Sequence, residues 1–242
     1  ARIEHKPSGA VALQLTNASI WGVVVIGSDA DVAAFPLDTA VLIDNLDTAL
    51  TKAGVAGPNN TLATTLKAIA TFGRSIGVVV RVAVGAGEDA EAIQTATDAN
   101  VVAGIARLRA TEQTIGVRPR IIGAPGLDTV TVRAALAVAA VKLNGGAFAR
   151  ANGETSAEIY ADRQTVSARE IRLIDGDVLI GDVVSFGVAH AIGLRAWLNG
   201  TAQGYSKTIS NVPLPGVTGI VSPREWDMNS SDTEMGLING AE

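Results

Sequence analysis

The chain has 242 residues, of which 48% are hydrophobic and 18% charged, so it has enough apolar material for a core and is not a disordered protein. It has no cysteine and two histidines, His5 and His190, which excludes disulfides, a thiol nucleophile and a histidine cluster. Its net charge of −5 argues against nucleic acid as a partner. The longest apolar stretch, 130–143, is interrupted by Arg133 and Lys142 and is too short to span a membrane. We therefore expect a soluble intracellular protein.

Apolar runs that alternate with helical patterns predict an α/β domain. The predicted strands are 21–27, 78–84, 120–124, 147–149 and 171–174, and the predicted helices are 60–72, 99–112, 128–144, 156–167 and 183–199. Asn60 and Gly73 are typical of the two ends of the first helix. The alternation predicts a mainly parallel or mixed sheet with helices on both faces, whereas residues 28–59 have the composition of a loop.

The helix at 128–144 is apolar almost all round, so we expect it to lie between layers, with Asp128 as its N-cap. After Gly200 the chain becomes rich in proline and glycine. We therefore divide it into an N-terminal segment (1–20), an α/β domain (21–200) and a loop-rich segment (201–242).

A glycine-rich run from Gly85 to Ala90 follows the second predicted strand and resembles a dinucleotide-binding loop. Two acidic residues, Glu88 and Asp89, would repel a pyrophosphate there, and no acid ends the next strand to hold a ribose. We favour an acidic solvated loop. A nucleotide-binding α/β enzyme remains the alternative, which micromolar NAD binding, abolished by Gly87→Asp, would support.

The other polar motifs favour structural roles. The turn at 123–128 is typical of a rigid strand-to-helix connection. His190 lies on an apolar helix stripe, which favours a core or interface histidine. Asp175, Asp177 and Asp182 lack the ligand order of a calcium loop, so we expect an acidic surface loop. The sequence contains no nucleophile, base and orienting group in a recognisable pattern, so we predict no catalytic, cofactor-binding or metal-binding residues and no enzyme.

Six segments in the same order resemble the sheath protein of contractile phage tails, in the P2-like group to which R-type pyocin sheaths are also similar. They are VIGSDADVAAFPLDTAVLI (25–43), VVVRVAVG (78–85), GVRPRIIGAPGLDT (116–129), SAREIRLIDGDV (167–178), GLRAW (193–197) and KTISNVPLPGVTGI (207–220). The resemblance covers residues from about 20 to 239.

The resemblance implies a structural subunit that forms stacked six-membered rings around an inner tail tube and contracts to drive that tube through the host envelope. It implies links between subunits by strand addition through terminal arms, and contacts with the tube, baseplate and tail terminator proteins. It implies no cofactor, nucleic acid or membrane, and a place in the virion tail after assembly in the host cytoplasm. A non-catalytic adaptor domain is a further alternative.

Members of this group extend beyond both ends of the aligned region. The resemblance therefore implies that residues 1–20 are a truncated arm and that residues 201–242 are a connector toward a tube-facing C-terminal domain absent from this sequence. We expect the chain to be a fragment that is a monomer or weak oligomer alone. Stable hexamers or tubes in light scattering would contradict that expectation. We expect the turn at 123–128 to be needed for folding and the segment 207–220 to lead toward the inner part of the sheath.

Overall fold

The chain folds around a six-stranded mixed sheet, and a computed structural model describes residues 18–57, 60–225, 232–234 and 236. The strands, in chain order, are β1 (Trp21–Ile26), β2 (Ala40–Ile43), β3 (Gly77–Val82), β4 (Ile121–Gly123), β5 (Gly146–Arg150) and β6 (Ile171–Ile174). Their spatial order is β2-β3-β1-β4-β5-β6, with β2 antiparallel to β3 and all other neighbours parallel. This arrangement confirms the predicted α/β fold. His5 lies outside the described residues, as does most of the segment 1–20.

Helices cover both faces of this sheet, as predicted. They are α1 (Leu46–Lys52), α2 (Thr61–Ala70), α3 (Ala90–Arg109), α4 (Thr111–Thr114), α5 (Val130–Leu143), α6 (Ser156–Thr165) and α7 (Gly187–Asn199), followed by a 3-10 turn at Gly204–Ser206. Helices α1, α2 and α7 pack on one face of the sheet and form one hydrophobic core with it. Helices α3 and α5 pack on the opposite face and form a second core. Strands β1 and β3 are buried along their whole length, which explains their continuous apolar runs.

The helix boundaries confirm some predictions and correct others. Asn60 caps α2 by accepting a hydrogen bond from the Ala63 N–H, as predicted. Helix α3 begins at residue 90 rather than 99, because the Asp89 side chain caps it there. The first turns of this helix are exposed and lack an apolar stripe, which is why the sequence pattern did not predict them. The N-cap of α5 is Thr129, not Asp128. Helix α5 is also not enclosed between layers, since Val138 on its outer face is 52% exposed.

Sequence reasoning missed several short elements. Residues 28–59, predicted as a loop, contain β2 and α1. The predicted helix at 183–199 divides into strand β8 (Val183–Ser185) and α7. Strand β8 forms a separate antiparallel sheet with β7 (Val178–Ile180) and β9 (Gly219–Ile220), in the order β8-β7-β9.

Part of the segment after residue 200 packs back onto the domain. Ile209, Val212 and Leu214 contact a small cluster that contains Leu194 and Leu198 of α7. The 207–220 stretch is therefore held against α7 and ends in β9. Its role as a connector toward another domain stays a prediction. Within the described part of the chain, no helix is long and apolar enough to cross a membrane.

Candidate functional site

The sheet has a switch point between β1 and β4. After β1 the chain places β2 and β3 on one side of β1, and it then places β4, β5 and β6 on the other side. Doubly wound sheets of this kind hold their ligands beyond the carboxyl ends of the strands at such a point. The ends of β1 and β4 are therefore the position at which this fold would build a small-molecule site.

The polar groups beyond β1 are engaged in joining neighbouring elements. The buried Arg81 of β3 donates from Nη1 to the carbonyl oxygen of Gly27 at 2.7 Å. The Asp29 carboxylate accepts hydrogen bonds from the Val55 N–H at 2.8 Å and from the Asn60 side-chain amide. The bond from Val55 is the main reason that the pKa of Asp29 lies below its ordinary value. These bonds fix the end of β1 to the start of α2.

The turn after β4 contains a glycine in the left-handed conformation and is closed by a backbone hydrogen bond. Gly126 has a φ of +75°, and a Cβ atom added there would lie 2.7 Å from Cζ of Phe186. This position therefore requires glycine. The Leu127 N–H donates to the Ala124 carbonyl oxygen at 2.9 Å and closes the turn.

Asp128 joins this turn to β5 instead of capping α5. Its buried carboxylate accepts a hydrogen bond from the Arg150 backbone N–H, and burial raises its pKa to about 6. The Arg150 guanidinium lies 3.4 Å from the Asp177 carboxylate, which accepts a hydrogen bond from the Gly187 N–H. These groups line a cavity of about 270 Å³. Their hydrogen bonds connect β4, β5 and the start of α7, which is a structural use of the two carboxylates.

The glycine-rich run at 85–90 is used for packing against α3. The Gly85 N–H donates to Oγ1 of Thr97 at 2.8 Å, and a Cβ atom at Gly85 would lie 2.4 Å from the Thr97 nitrogen. The Asp89 carboxylate accepts the Ala92 N–H at 2.7 Å, so a negative charge already occupies the helix N-terminus. The run also follows β3, away from the switch point. This geometry gives no support to the nucleotide-binding alternative.

His190 is buried in the core, as predicted. Its Nε2 lies 3.1 Å from Oγ of Ser185, and its ring meets Phe72 edge to face with centroids 6.1 Å apart. Burial lowers the pKa of His190, which favours the neutral ring.

The prediction of an acidic surface loop around residues 175–182 is wrong for two of its three aspartates. Asp175 forms an ion pair with Arg224 at 3.1 Å, and Asp177 pairs with Arg150; both carboxylates are largely buried. The residues between Asp177 and Asp182 include strand β7. Among the described residues, no group of three or more histidine, aspartate or glutamate side chains could hold a metal ion.

Helix α5 carries an apolar surface. Leu136, Ala139 and Leu143 face the core, whereas Val130, Val138 and Val141 are 61%, 52% and 55% exposed. We call this outer side, together with the exposed Ala134, the α5 face. Exposed apolar side chains arranged along one helix are typical of a surface that another protein covers. The all-round apolar pattern in the sequence is the signal that could have found it.

The chain is similar in sequence to two tail sheath proteins of phages. The chain is 39% identical over 247 residues to the tail sheath protein of Escherichia phage P2, across 96% of this chain and 61% of that protein. It is 34% identical over 256 residues to the major tail sheath protein of Serratia phage KSP20, across 100% and 64%. The chain thus spans less than two thirds of the length of these relatives. No protein-family model matches it.

A solved structure has the same fold. A chain in the cryo-EM structure of the anti-feeding prophage baseplate, 6-fold symmetrised, superposes with a TM-score of 0.58 across 93% of this chain and 59% of that one. The two sequences are 14% identical, so this similarity concerns the fold alone.

Proposed function

We propose that this chain, which is homologous to phage tail sheath proteins, is part of a structural subunit of a contractile tail sheath. The observation that carries the proposal is the 39% identity to the P2 tail sheath protein across 96% of the chain, from the sheet to the segment after α7. The role is structural and not enzymatic. The polar groups at the switch point form hydrogen bonds between neighbouring strands and helices, which is consistent with a structural role.

The α5 face supports a role in assembly. A subunit enclosed by neighbours buries surface that stays exposed in the single chain, and such surface is more apolar than that of a monomer. The low charged fraction, 18%, agrees with a surface of which much is covered. We assign the α5 face to a contact with another protein of the tail.

In the proposed assembly, subunits form stacked six-membered rings around the inner tail tube and are linked by strand addition through terminal arms. Contraction of the sheath drives the tube through the host envelope and needs no cofactor. The proposed partners are other sheath subunits, the inner tube protein, and the baseplate and terminator proteins, without nucleic acid or membrane. The subunit assembles in the host cytoplasm and resides in the virion tail.

Incorporation into phage particles tests this proposal. The aligned segment of the P2 tail sheath protein is replaced by this chain, and the chimera is supplied to P2 that lacks its own sheath gene. We expect purified particles to contain the chimera, and fewer of them to contain it when Val138→Glu places a charge on the α5 face. Gln113→Glu, which adds a charge at another exposed position, is the matched control and should have no effect. A folded chimera that is absent from particles would contradict the proposal.

A further inference from the structure

Three arginines surround a large cavity at the amino-terminal edge of the main sheet. Arg120 precedes β4, Arg172 lies in β6 and Arg195 lies near the end of α7. The cavity has a volume of about 660 Å³, which is within the usual range for ligand sites. It lies at the opposite edge of the sheet from the switch point and the turn at 123–128.

The positive charges around this cavity are not neutralised by ion pairs. Among the described residues, none of the ion pairs involves Arg120, Arg172 or Arg195. The hydrogen bonds of Arg195 go to uncharged acceptors, the carbonyl oxygens of Gly204 and Lys207 at 3.0 and 2.7 Å and Oδ1 of Asn199 at 2.8 Å. Burial, and then the charge of Arg172, lower the pKa of Arg195, so the two guanidinium groups are close enough to repel each other.

Arg120 and Arg172 make few hydrogen bonds with the described residues. Nε of Arg120 is buried and has no hydrogen-bond partner among the described residues, and its Nη1 reaches the Asn144 carbonyl oxygen only at 3.4 Å. The exposed Arg172 guanidinium lies 5.7 Å from the centroid of the Phe148 ring, a distance typical of a cation–π contact. The charge of Arg172 acts on Glu170, but that carboxylate is held by Arg169 at 2.9 Å.

We propose that this cavity, named here the arginine cavity, is a binding site for a carboxylate group. A guanidinium presents paired N–H donors in a plane, and this geometry matches the two oxygens of a carboxylate. Several positive charges in one concave site, where none of the described lining residues is acidic, favour an anion.

An acidic segment of a second copy of this chain is the source that the charges favour. Glu88, Asp89 and Glu91 are exposed beyond the carboxyl end of β3, at the opposite edge of the sheet from the arginine cavity. None of them takes part in an ion pair among the described residues. A contact between opposite ends of two copies is heterologous and generates rings or helical stacks. This choice of source rests on the proposed function, whereas the carboxylate site does not.

Calorimetric titration of the chain at constant ionic strength tests the site and separates the sources. One probe is glutarate, a free dicarboxylate. The other is the peptide VGAGEDAEAIQ, residues 84–94, with a control peptide in which its three acidic residues are amides. The protein variants are Arg120→Gln and Arg172→Gln, with Arg107→Gln as the matched control, since Arg107 is a partly exposed arginine on α3.

We expect the acidic peptide and glutarate both to bind, the peptide more tightly, and the amide peptide not to bind. Loss of Arg120 or Arg172 should weaken both interactions about tenfold, and loss of Arg107 should leave them unchanged. Binding of glutarate without the peptide would overturn the second-copy source and support the carboxylate site. No binding by either probe, or an equal loss with Arg107→Gln, would overturn the site while leaving the particle test of the proposed function untouched.

Discussion

The buried carboxyl of Asp128 should make the stability of this domain depend on pH in an unusual direction. Only 7% of this residue is exposed, and burial raises its pKa from 3.8 to about 6. The hydrogen bond from the Arg150 N–H opposes the rise, and the charge of Asp177 adds to it. Asp128 therefore holds its proton more strongly in the folded chain than in the unfolded one.

The sign of the effect follows from this difference. A carboxyl whose pKa is raised by folding contributes stability that is fully present below pH 3.8 and is lost as the pH rises through about 6. The two pKa values differ enough to correspond to about 3 kcal/mol in the free energy of unfolding. The pH window of the loss runs from about 4 to a little above 6.

The perturbation is Asp128→Asn, which keeps an oxygen that can accept from the Arg150 N–H but cannot ionise. Urea unfolding at intervals from pH 4 to 7.5 gives the free energy of unfolding of both proteins. As the pH rises from 4 to 7.5, we expect the free energy of unfolding of the variant to increase relative to that of the wild-type chain, by most of the difference of about 3 kcal/mol. Carbon NMR of the Asp128 carboxyl should give a midpoint near 6 in the folded protein.

Asp162→Asn is the control for this experiment. Burial works to raise the pKa of Asp162, but hydrogen bonds from Arg133 and the Asn152 N–H outweigh it, so this pKa lies below 3.8. The stability that the Asp162 carboxylate contributes is present above pH 3.8 and is lost only at lower pH. The difference in the free energy of unfolding between Asp162→Asn and wild type should therefore stay nearly constant above pH 5. If the difference in the free energy of unfolding between Asp128→Asn and wild type is constant from pH 4 to 7.5, and the Asp128 carboxyl titrates near 4, then burial does not raise its pKa.

Three further substitutions test the turn, a buried ion pair and the α5 face. Gly126→Val should lower the free energy of unfolding by about 2 kcal/mol, because φ is positive there and the side chain would meet Phe186, and chemical unfolding measures the loss. Arg133→Met should cost about 3 to 5 kcal/mol, because the Asp162 carboxylate that it contacts at 2.6 Å would be left buried and unpaired. Val138→Glu should change stability by less than about 0.5 kcal/mol and reduce incorporation into particles.

Each of these predictions has an outcome that would contradict it. Gly57→Ala is the control for the turn, since Gly57 has open space around it, and equal melting temperatures for this variant and Gly126→Val would show that the turn needs no glycine. Normal stability of Arg133→Met would mean that the ion pair is not desolvated. Loss of the fold in Val138→Glu would show that Val138 is part of the core.

The central strands could be predicted because burial on both faces leaves a strong pattern. Strands β1 and β3 are continuous β-branched runs, and β6 occupies the predicted residues 171–174. Asn60 also marks the start of α2 through local chemistry, a side-chain cap, whereas α2 ends at Ala70, three residues before the predicted Gly73. These signals need no knowledge of contacts between distant parts of the chain.

The elements that were missed depend on distant partners. Strand β2 has four residues and only one of them is buried, so its pairing with β3 leaves little alternation in the sequence. The first turns of α3 are exposed and rich in alanine and acidic residues, without an apolar stripe. Strands β7, β8 and β9 have two or three residues each and are strands only because they pair with one another.

The candidate sites were hidden for the same reason. The bond between Asp128 and the Arg150 N–H joins residues 22 positions apart, and the ion pair between Asp175 and Arg224 joins residues 49 positions apart. The arginine cavity brings together side chains from β6, α7 and the residue before β4, and no local motif marks them. The α5 face was visible in the sequence as an apolar pattern, but only the fold shows which side of the helix is exposed.

Electron microscopy of the chimera, in which this chain replaces the aligned segment of the P2 tail sheath protein, shows whether the chain can serve as part of a sheath subunit. Circular dichroism and thermal melting first establish that the purified chimera is folded. We expect hollow tubes or stacked rings with six-fold symmetry in negative stain. A folded chimera that gives only dispersed small particles, under conditions in which the P2 tail sheath protein itself forms tubes, would contradict the proposal.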